Sequence, residues 1–535
     1  MMTAMPIIAI ASAHPSPASG EQTARWRGIA ILALIVLVAV IVRAPYLGDP
    51  AADRDEQLYS VIGLGWLDGQ IPYRDMWDRK QPGLFALFAL FHAIGGRSVW
   101  AFELAGLACT MLAGWQVYRI ALRIGTQFAA VIVAIVFLFN IPLFIIHLGQ
   151  VETFLFPLLL GQLMLAASAF ASADRTRVVM ILCALMLVGG VALQIKLSIG
   201  PFCVLLGVLA LIRLKQLGFG PFHIIGLLGV FAAIGLAPTM LFSAYFWYHG
   251  AFESYFQANF VSIFFRGTMP APMIARFGTH LILAAFPLLL YAVLAAAEAR
   301  SNADPAARRV YRLVIAFAAM GFVALLGAGY PFVHYFGPAL PFVCLLAAPF
   351  FSFHPSGKLF GYLAVILSMI TASFDEQVVR TASHRQAIPA LTRMITSQVP
   401  KNECLFVFAG PTILYETTQR CIPSRLVYPD HFTNPREVRA LDVEITRELA
   451  RILDSRPGAI TMTDDLATEM YNQTTVAMVT EAVERDYTLV GTAFRFPRSV
   501  EVFIRNDLVT AEREQSPIPI TSLSDLFTKF GERDQ

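Results

Sequence analysis

The chain has 535 residues, 57% hydrophobic and only 14% charged, with a mean hydropathy of +0.62. A soluble domain carries about 25% charged residues, so this much apolar side chain cannot be packed inside one water-soluble core, and a soluble globular enzyme is excluded. The formal net charge of +3 is too balanced for a nucleic-acid partner.

A hydrocarbon core of about 30 Å needs about 20 mostly apolar residues as helix, and in lipid only helices or closed barrels satisfy every backbone group. The apolar runs here are continuous rather than alternating, which excludes a barrel. Residues 1–26 read as a cytoplasmic tail, since the stretch PIIAIASA lacks the basic flank and the apolar length of a signal peptide. Spans are expected near 27–43, 100–122, 127–146, 151–171, 177–194, 197–213, 222–247, 279–297, 309–328, 334–352 and 357–374, about 11 in all. The run 82–95 (PGLFALFALFHAIG) is short for a span and suits a helix lying along the membrane surface. Arg25 and Arg27, Arg119 and Arg123, Arg175 and Arg177, Arg213 and Lys215, and Arg300, Arg308 and Arg309 mark alternate ends, which the positive-inside rule makes cytoplasmic. The outer side then receives the loop 44–99, the turns near His147, Lys196 and Tyr330, the loop 248–278 and everything after residue 374.

Residues 375–535 have ordinary composition: 23 of the 37 acids lie there. CLFVFAG (404–410), GAITM (458–462), YTLVGTA (487–493) and VEVFIR (500–505) read as strands, and 435–453 has the apolar spacing of an amphipathic helix. The expectation is an α-helical polytopic membrane protein, with a transmembrane domain over 27–374 and an extracytoplasmic α/β domain over 375–535. Cys109, Cys183, Cys203 and Cys344 fall in spans, as small apolar residues. Cys404 and Cys421 share the outer domain, either bridged or as two thiols. No CxxC or zinc spacing occurs.

Ionisable groups near a bilayer are costly and suggest function. Seven acids crowd between Asp49 and Asp78, in DRDEQLYS (53–60) and GQIPYRDMWDRKQPG (69–83), with Trp66, Tyr73 and Trp77 among them. Glu152 opens a span after His147 and Gln150; Lys196 sits between two spans; Arg266 and Arg276 lie in the loop 248–278; and GYPFVHYFGPALP carries Tyr330, His334 and Tyr335. Singly, such residues are usually snorkelling cations or structural histidines. Collectively, acids and cations converge on the outer side. A carboxylate there can take a proton from an attacking hydroxyl, and cations can stabilise a leaving phosphate. That pair suits transfer of a sugar from a lipid-phosphate carrier. Asp53-Arg54-Asp55 also spells D-x-D, a pattern that holds a divalent metal in some transferases; metal dependence is not favoured.

The ordered set of Asp55-Glu56-Gln57-Leu58-Tyr59, Gly69-Gln70-Ile71-Pro72-Tyr73-Arg74-Asp75 and Lys80-Gln81-Pro82, followed by Glu152, Lys196 and a late HYF-x-x-x-L-P, resembles the bacterial GT-C glycosyltransferases of the protein-mannosyltransferase and aminoarabinose-transferase type (glycosyltransferase family 39-like). It covers about residues 27–350. The resemblance implies a multi-pass enzyme of the bacterial inner membrane, N-terminus cytoplasmic, that uses a polyprenyl-phosphate sugar and a lipid, glycan or protein acceptor without a cofactor. It implies Asp55 as the base or an acceptor-orienting carboxylate and Glu56 as a second acid in the same cavity. Lys80, Lys196 and His334 fall on the donor-phosphate side; Tyr59, Tyr73, Asp75 and Glu152 are substrate-binding candidates. A lipid-sugar flippase or transporter is the alternative, although the span centres are clean and no repeat is evident.

Overall fold

The computed structural model describes residues 17–265, 267, 271–327, 329, 331–466, 471–509, 517, 519–522 and 525. The tail before residue 17, Arg266 and Tyr330 lie outside the described residues. The helices of the first three quarters are α1 (Pro17–Arg43), α2 (Arg54–Leu67), α3 (Pro82–Gly95), α4 (Val99–Ala121), α5 (Gln127–Leu143), α6 (Val151–Ala171), α7 (Arg175–Leu193), α8 (Gly200–Gln216), α9 (Pro221–Tyr248), α10 (Phe252–Phe256), α11 (Ala271–Ser301), α12 (Pro305–Gly327), α13 (Leu340–Leu346), α14 (Ala348–Phe353), α15 (Gly357–Thr371) and α16 (Phe374–Thr396).

Among the described residues eight helices are long and apolar enough to cross a membrane, and the pair α3–α4, bent by 111°, makes up to nine. Two of the 11 expected spans fall on shorter apolar helices. One is α5, which carries Pro142 near its end. The other is the α13–α14 region, where Pro341 and Pro349 each remove a backbone donor at the start of a new helix. The run 82–95 forms α3, which leans on α2 with Phe85 and Phe88 buried beneath Tyr59. Gly63 permits that approach, because a Cβ there would stand 2.9 Å from Ala89 N. Arg43, fully buried at the end of α1, donates to Ile146 O (2.6 Å), Thr110 Oγ1 and Thr153 Oγ1 (both 3.3 Å). One guanidinium thus ties α1 to α4 and to the start of α6.

After α16 the chain builds a four-stranded mixed sheet from β1 (Leu405–Val407), β2 (Ala459–Thr463), β3 (Tyr487–Arg495) and β4 (Arg498–Arg505), in the order β1-β2-β4-β3. β1 and β2 are parallel, with Phe406 opposite Ile460; β4 runs antiparallel to both β2 and β3. The helices α17 (Leu414–Thr418), α18 (Asp430–Thr433), α19 (Pro435–Val438) and α20 (Ile445–Asp454) lie between β1 and β2, and α21 (Gln473–Asp486) precedes β3. The helix expected over 435–453 is therefore two. Glu444 breaks it by taking the N-cap of α20, accepting from Thr446 N (3.1 Å) and Arg447 N (2.7 Å). α16 belongs to this unit: Ser383 Oγ donates to Phe494 O (3.1 Å) and accepts from Phe496 N (3.0 Å).

Cys404 and Cys421 form a disulfide across 17 residues, and Leu405 N donates to Cys421 O (3.0 Å) beside it. The other four cysteines are free. Closing a loop of that size removes about 3 kcal/mol of unfolded-state freedom. Cys404→Ser with Cys421→Ser should therefore lower the stability of the sheet unit by about 3 kcal/mol, read as earlier exchange of the β1 and β2 amides, with α1–α12 protection unchanged.

The acidic loop accounts for each of its seven carboxylates. Asp49 accepts from Thr381 Oγ1 (3.1 Å) and pairs with His384 (2.8 Å). Asp53 and Glu56 cap α2. Asp68 pairs with Arg97, and Asp75 with Arg74. Asp78 accepts from Lys80 N (2.9 Å) and lies 3.5 Å from His431. Asp55 pairs with Lys80. Three of these partners come from beyond residue 374 or are reached through it, so the loop is clamped between the helices and the sheet unit. Arg54–Asp430 (2.9 Å), Arg79–Glu437 and Trp77 N to Arg425 O (2.8 Å) complete the clamp.

Candidate active site

The first turn of α2 sets the geometry. Asp53 accepts from Asp55 N at 2.7 Å, and Glu56 Oε1 accepts from Asp53 N at 3.2 Å, a reciprocal capping box. Fixed in this way, Asp55 reaches a cavity of about 450 Å³ that Tyr59, Arg79, Lys80, Glu152, Lys196 and His334 also line. Lys80 Nζ donates to Asp55 Oδ2 (2.8 Å) and to Tyr59 Oη (2.6 Å), and Tyr59 Oη donates to the same Oδ2 (3.1 Å). Asp55 Oδ1 accepts from Tyr428 Oη (3.0 Å), which the sheet unit contributes.

Burial alone would raise the Asp55 carboxyl, but the Lys80 ammonium and its hydrogen bond outweigh it and hold the group below the ordinary carboxylate range. Burial likewise disfavours the Lys80 charge, yet Asp55 and Asp78 lift it above the usual lysine value. Asp53 moves the other way: burial and the neighbouring Asp55 charge push it up to about 6. The two carboxylates of the D-x-D pattern thus differ, one capping a helix and one in the cavity. Among the described residues no three His, Cys, Asp or Glu side chains are grouped as a metal would need.

A second ion pair stands across the cavity. Glu152, at the start of α6 and buried, accepts from Lys196 Nζ. Its Oε2 has no hydrogen-bond partner among the described residues. Lys196 lies 4.5 Å from the centre of the Tyr335 ring. His334 occupies a short 3₁₀ turn (Val333–Phe336). Gly337 lets that turn lie against Glu152: a Cβ there would be 2.4 Å from Glu152 Cγ.

Of the residues singled out in the sequence, Asp55, Tyr59, Lys80, Glu152, Lys196 and His334 meet in this cavity. Glu56 stands apart, buried and accepting from Asp53 N and from Gly149 N (2.9 Å), so it joins α2 to the turn before α6. Tyr73 is buried outside the cavity and donates to Lys80 O (2.7 Å), holding the lysine's main chain. Asp75 accepts from Ile71 N (2.8 Å) and Arg74, and faces a separate cleft of about 1080 Å³ beside the sheet unit. Sequence reasoning missed Tyr428, the pairing of Arg79 with Glu437, and Asn259 and Ser262 of the 248–278 loop. Arg79 sat in a motif already noticed; Tyr428, in LVYPDHF, had only an aromatic beside an acid to signal it.

No known family model matches the chain, and no curated protein is similar to it. Among solved structures it is similar to ArnT from Cupriavidus metallidurans bound to undecaprenyl phosphate, at 13% identity and a TM-score of 0.58, covering 90% of this chain and 99% of that one. It is also similar to the archaeal oligosaccharyltransferase AglB from Archaeoglobus fulgidus, at 14% identity and a TM-score of 0.49, covering 87% and 73%. The chain has the multi-pass GT-C fold on which ArnT, an aminoarabinose transferase, is built.

Proposed function

We propose that this chain is an integral membrane glycosyltransferase that moves a sugar from a polyprenyl-phosphate donor to a hydroxyl of a lipid, glycan or protein at the outer face of the bacterial cytoplasmic membrane. In this reading residues 27–374 form the catalytic domain, residues 375–535 stand outside the cytoplasm, and the N-terminus is cytoplasmic. The observation that carries the reading is one cavity holding a carboxylate, Asp55, within hydrogen-bond reach of Lys80, with Lys196 on the same lining. Ile195, Leu197, Ile263 and Ile274 add an apolar wall suited to a prenyl chain. ArnT, whose fold the chain shares, was crystallised with undecaprenyl phosphate.

The acceptor oxygen attacks the anomeric carbon, and the bond from that carbon to the phosphate oxygen breaks. The electron pair leaves on the phosphate, and Asp55 takes the acceptor proton. Lys80 and Lys196 neutralise the charge gained by the phosphate. In the resting geometry Lys80 is engaged by Asp55, which keeps the carboxylate a weak base. A donor phosphate competes for Lys80, so Asp55 gains basicity as the donor binds. Glu152 and Tyr335 hold Lys196 in place, and Tyr59 and Tyr428 orient Asp55.

The test is transfer of labelled sugar from polyprenyl-phosphate donors in membranes. Label reaching an acceptor supports the reading; donor lipid crossing the bilayer with no label transferred overturns it in favour of a flippase. Tyr428→Phe removes one charge-assisted hydrogen bond from Asp55 and should slow transfer roughly tenfold, with donor KM little changed, as initial rates against donor concentration would report.

A further inference from the structure

The helices that bound the cavity run away from it. α6 starts at Val151, one residue before Glu152, and spans 21 residues, about 30 Å at 1.5 Å per residue, which is the thickness of the hydrocarbon core. At their far ends α6, α7, α8, α11 and α12 leave three grooves of about 550, 590 and 570 Å³. The first is lined by Arg123, Arg177 and Arg309, the second by Arg213, Arg309 and Arg312, and the third by Arg300, Arg308 and Arg312. Against these seven arginines the linings hold one carboxylate, Asp304, which already accepts from Ala306 N (2.8 Å). None of the seven has an ion-pair partner among the described residues.

Topology needs only positive charge near helix ends. The grooves go further, because they gather the arginines over apolar walls. Arg309 is shared by the first and second grooves and Arg312 by the second and third. Arg213 donates to Ala169 O (2.9 Å) and Arg309 to the next carbonyl, Phe170 O (2.7 Å), so two like charges are fixed side by side at the end of α6, with no carboxylate paired to either among the described residues. Arg213 also lies over the Phe170 ring, 5.8 Å from its centre. Leu209, Ile212, Leu313 and Ala316 continue the middle groove toward the apolar belt. An anion with hydrocarbon attached, sitting at headgroup depth, matches both halves of that lining.

We propose that the grooves joined by Arg309 and Arg312, at the membrane surface opposite the cavity, form a binding site for the phosphate headgroup of an anionic phospholipid, whose acyl chains follow the apolar walls between α8 and α12. The site serves as a seat for the helix ends and takes no part in group transfer, so it stands whether or not the proposed transferase reading holds.

The test uses the full chain in detergent micelles, with native mass spectrometry and titration of phosphatidylglycerol, cardiolipin and phosphatidylcholine. The wild type should retain the two anionic lipids and not phosphatidylcholine. Arg309→Gln with Arg312→Gln should weaken anionic-lipid binding about fivefold per arginine removed, while Arg309→Lys with Arg312→Lys should keep most of it. Arg312→Gln alone, which breaks no hydrogen bond among the described residues, serves if the double variant does not fold. Equal binding of phosphatidylcholine, or binding unmoved by both glutamine variants, overturns the proposal. Displacement of the lipid by inorganic phosphate at matching concentration also overturns it, since the site would then recognise free phosphate.

Discussion

Asp55→Asn should abolish sugar transfer, by about 10²- to 10⁴-fold as expected for removal of a general base, while the protein still accumulates in the membrane. Asparagine keeps the size of the side chain and an oxygen for Tyr428, but it can neither hold a proton from the acceptor nor balance Lys80. The uncompensated ammonium will cost some stability, so loss of activity must be separated from loss of fold. Asp55→Asn combined with Lys80→Met removes both charges. The pair of substitutions should regain thermal stability and remain inactive. Recovery of transfer in the double variant, or full activity in the single one, would remove Asp55 from the chemistry.

Lys80→Met has the second largest expected effect, and it acts on pH dependence as well as rate. The carboxyl of Asp55 lies below its ordinary value because Lys80 outweighs the burial that would raise it. Without Lys80, burial is left and the folded-state value rises. A base works only when deprotonated, so activity falls as pH drops through that value. In the wild type the acid limb lies below the usual carboxylate range; in the variant it should move to higher pH, above the ordinary value of about 4. Donor affinity should fall at the same time, because one phosphate partner is gone, and at neutral pH the rate should drop about 100-fold. The check is the pH profile of kcat/KM for the donor, which reports the free enzyme, beside a donor titration at fixed pH. An unshifted acid limb would mean that Lys80 does not set the state of Asp55.

The membrane part was largely legible because a bilayer imposes one length and one backbone solution on every span. It was less legible at Gln127–Leu143 and Leu340–Phe353, where apolar runs long enough to read as spans fold into shorter helices. Within the acidic loop the sequence announced charge but not its use. Glu56 was expected beside Asp55 in one cavity, yet a capping box turns Asp53 and Glu56 inward and leaves Asp55 facing the cavity. That distinction depends on a hydrogen-bond reciprocity three residues long, visible as D-x-x-E only to a reader asking where α2 starts. Tyr428 was beyond reach for a different reason: it meets Asp55 across 373 residues of chain, and no local pattern encodes such a pairing. The break between α19 and α20 lay in plain view at Glu444, a capping residue inside an otherwise helical spacing.

The clamp of Arg54–Asp430, Tyr428–Asp55 and Arg79–Glu437 has a consequence for biogenesis. A chain is made from its N-terminus, so every apolar helix can be inserted long before the residues near 430 leave the ribosome. Until they arrive, Asp55 lacks its tyrosine and Arg79 its carboxylate. A truncated or stalled chain would sit in the membrane with all its apolar helices and an unfinished cavity. Completion of synthesis thereby becomes the last step in assembling the cavity.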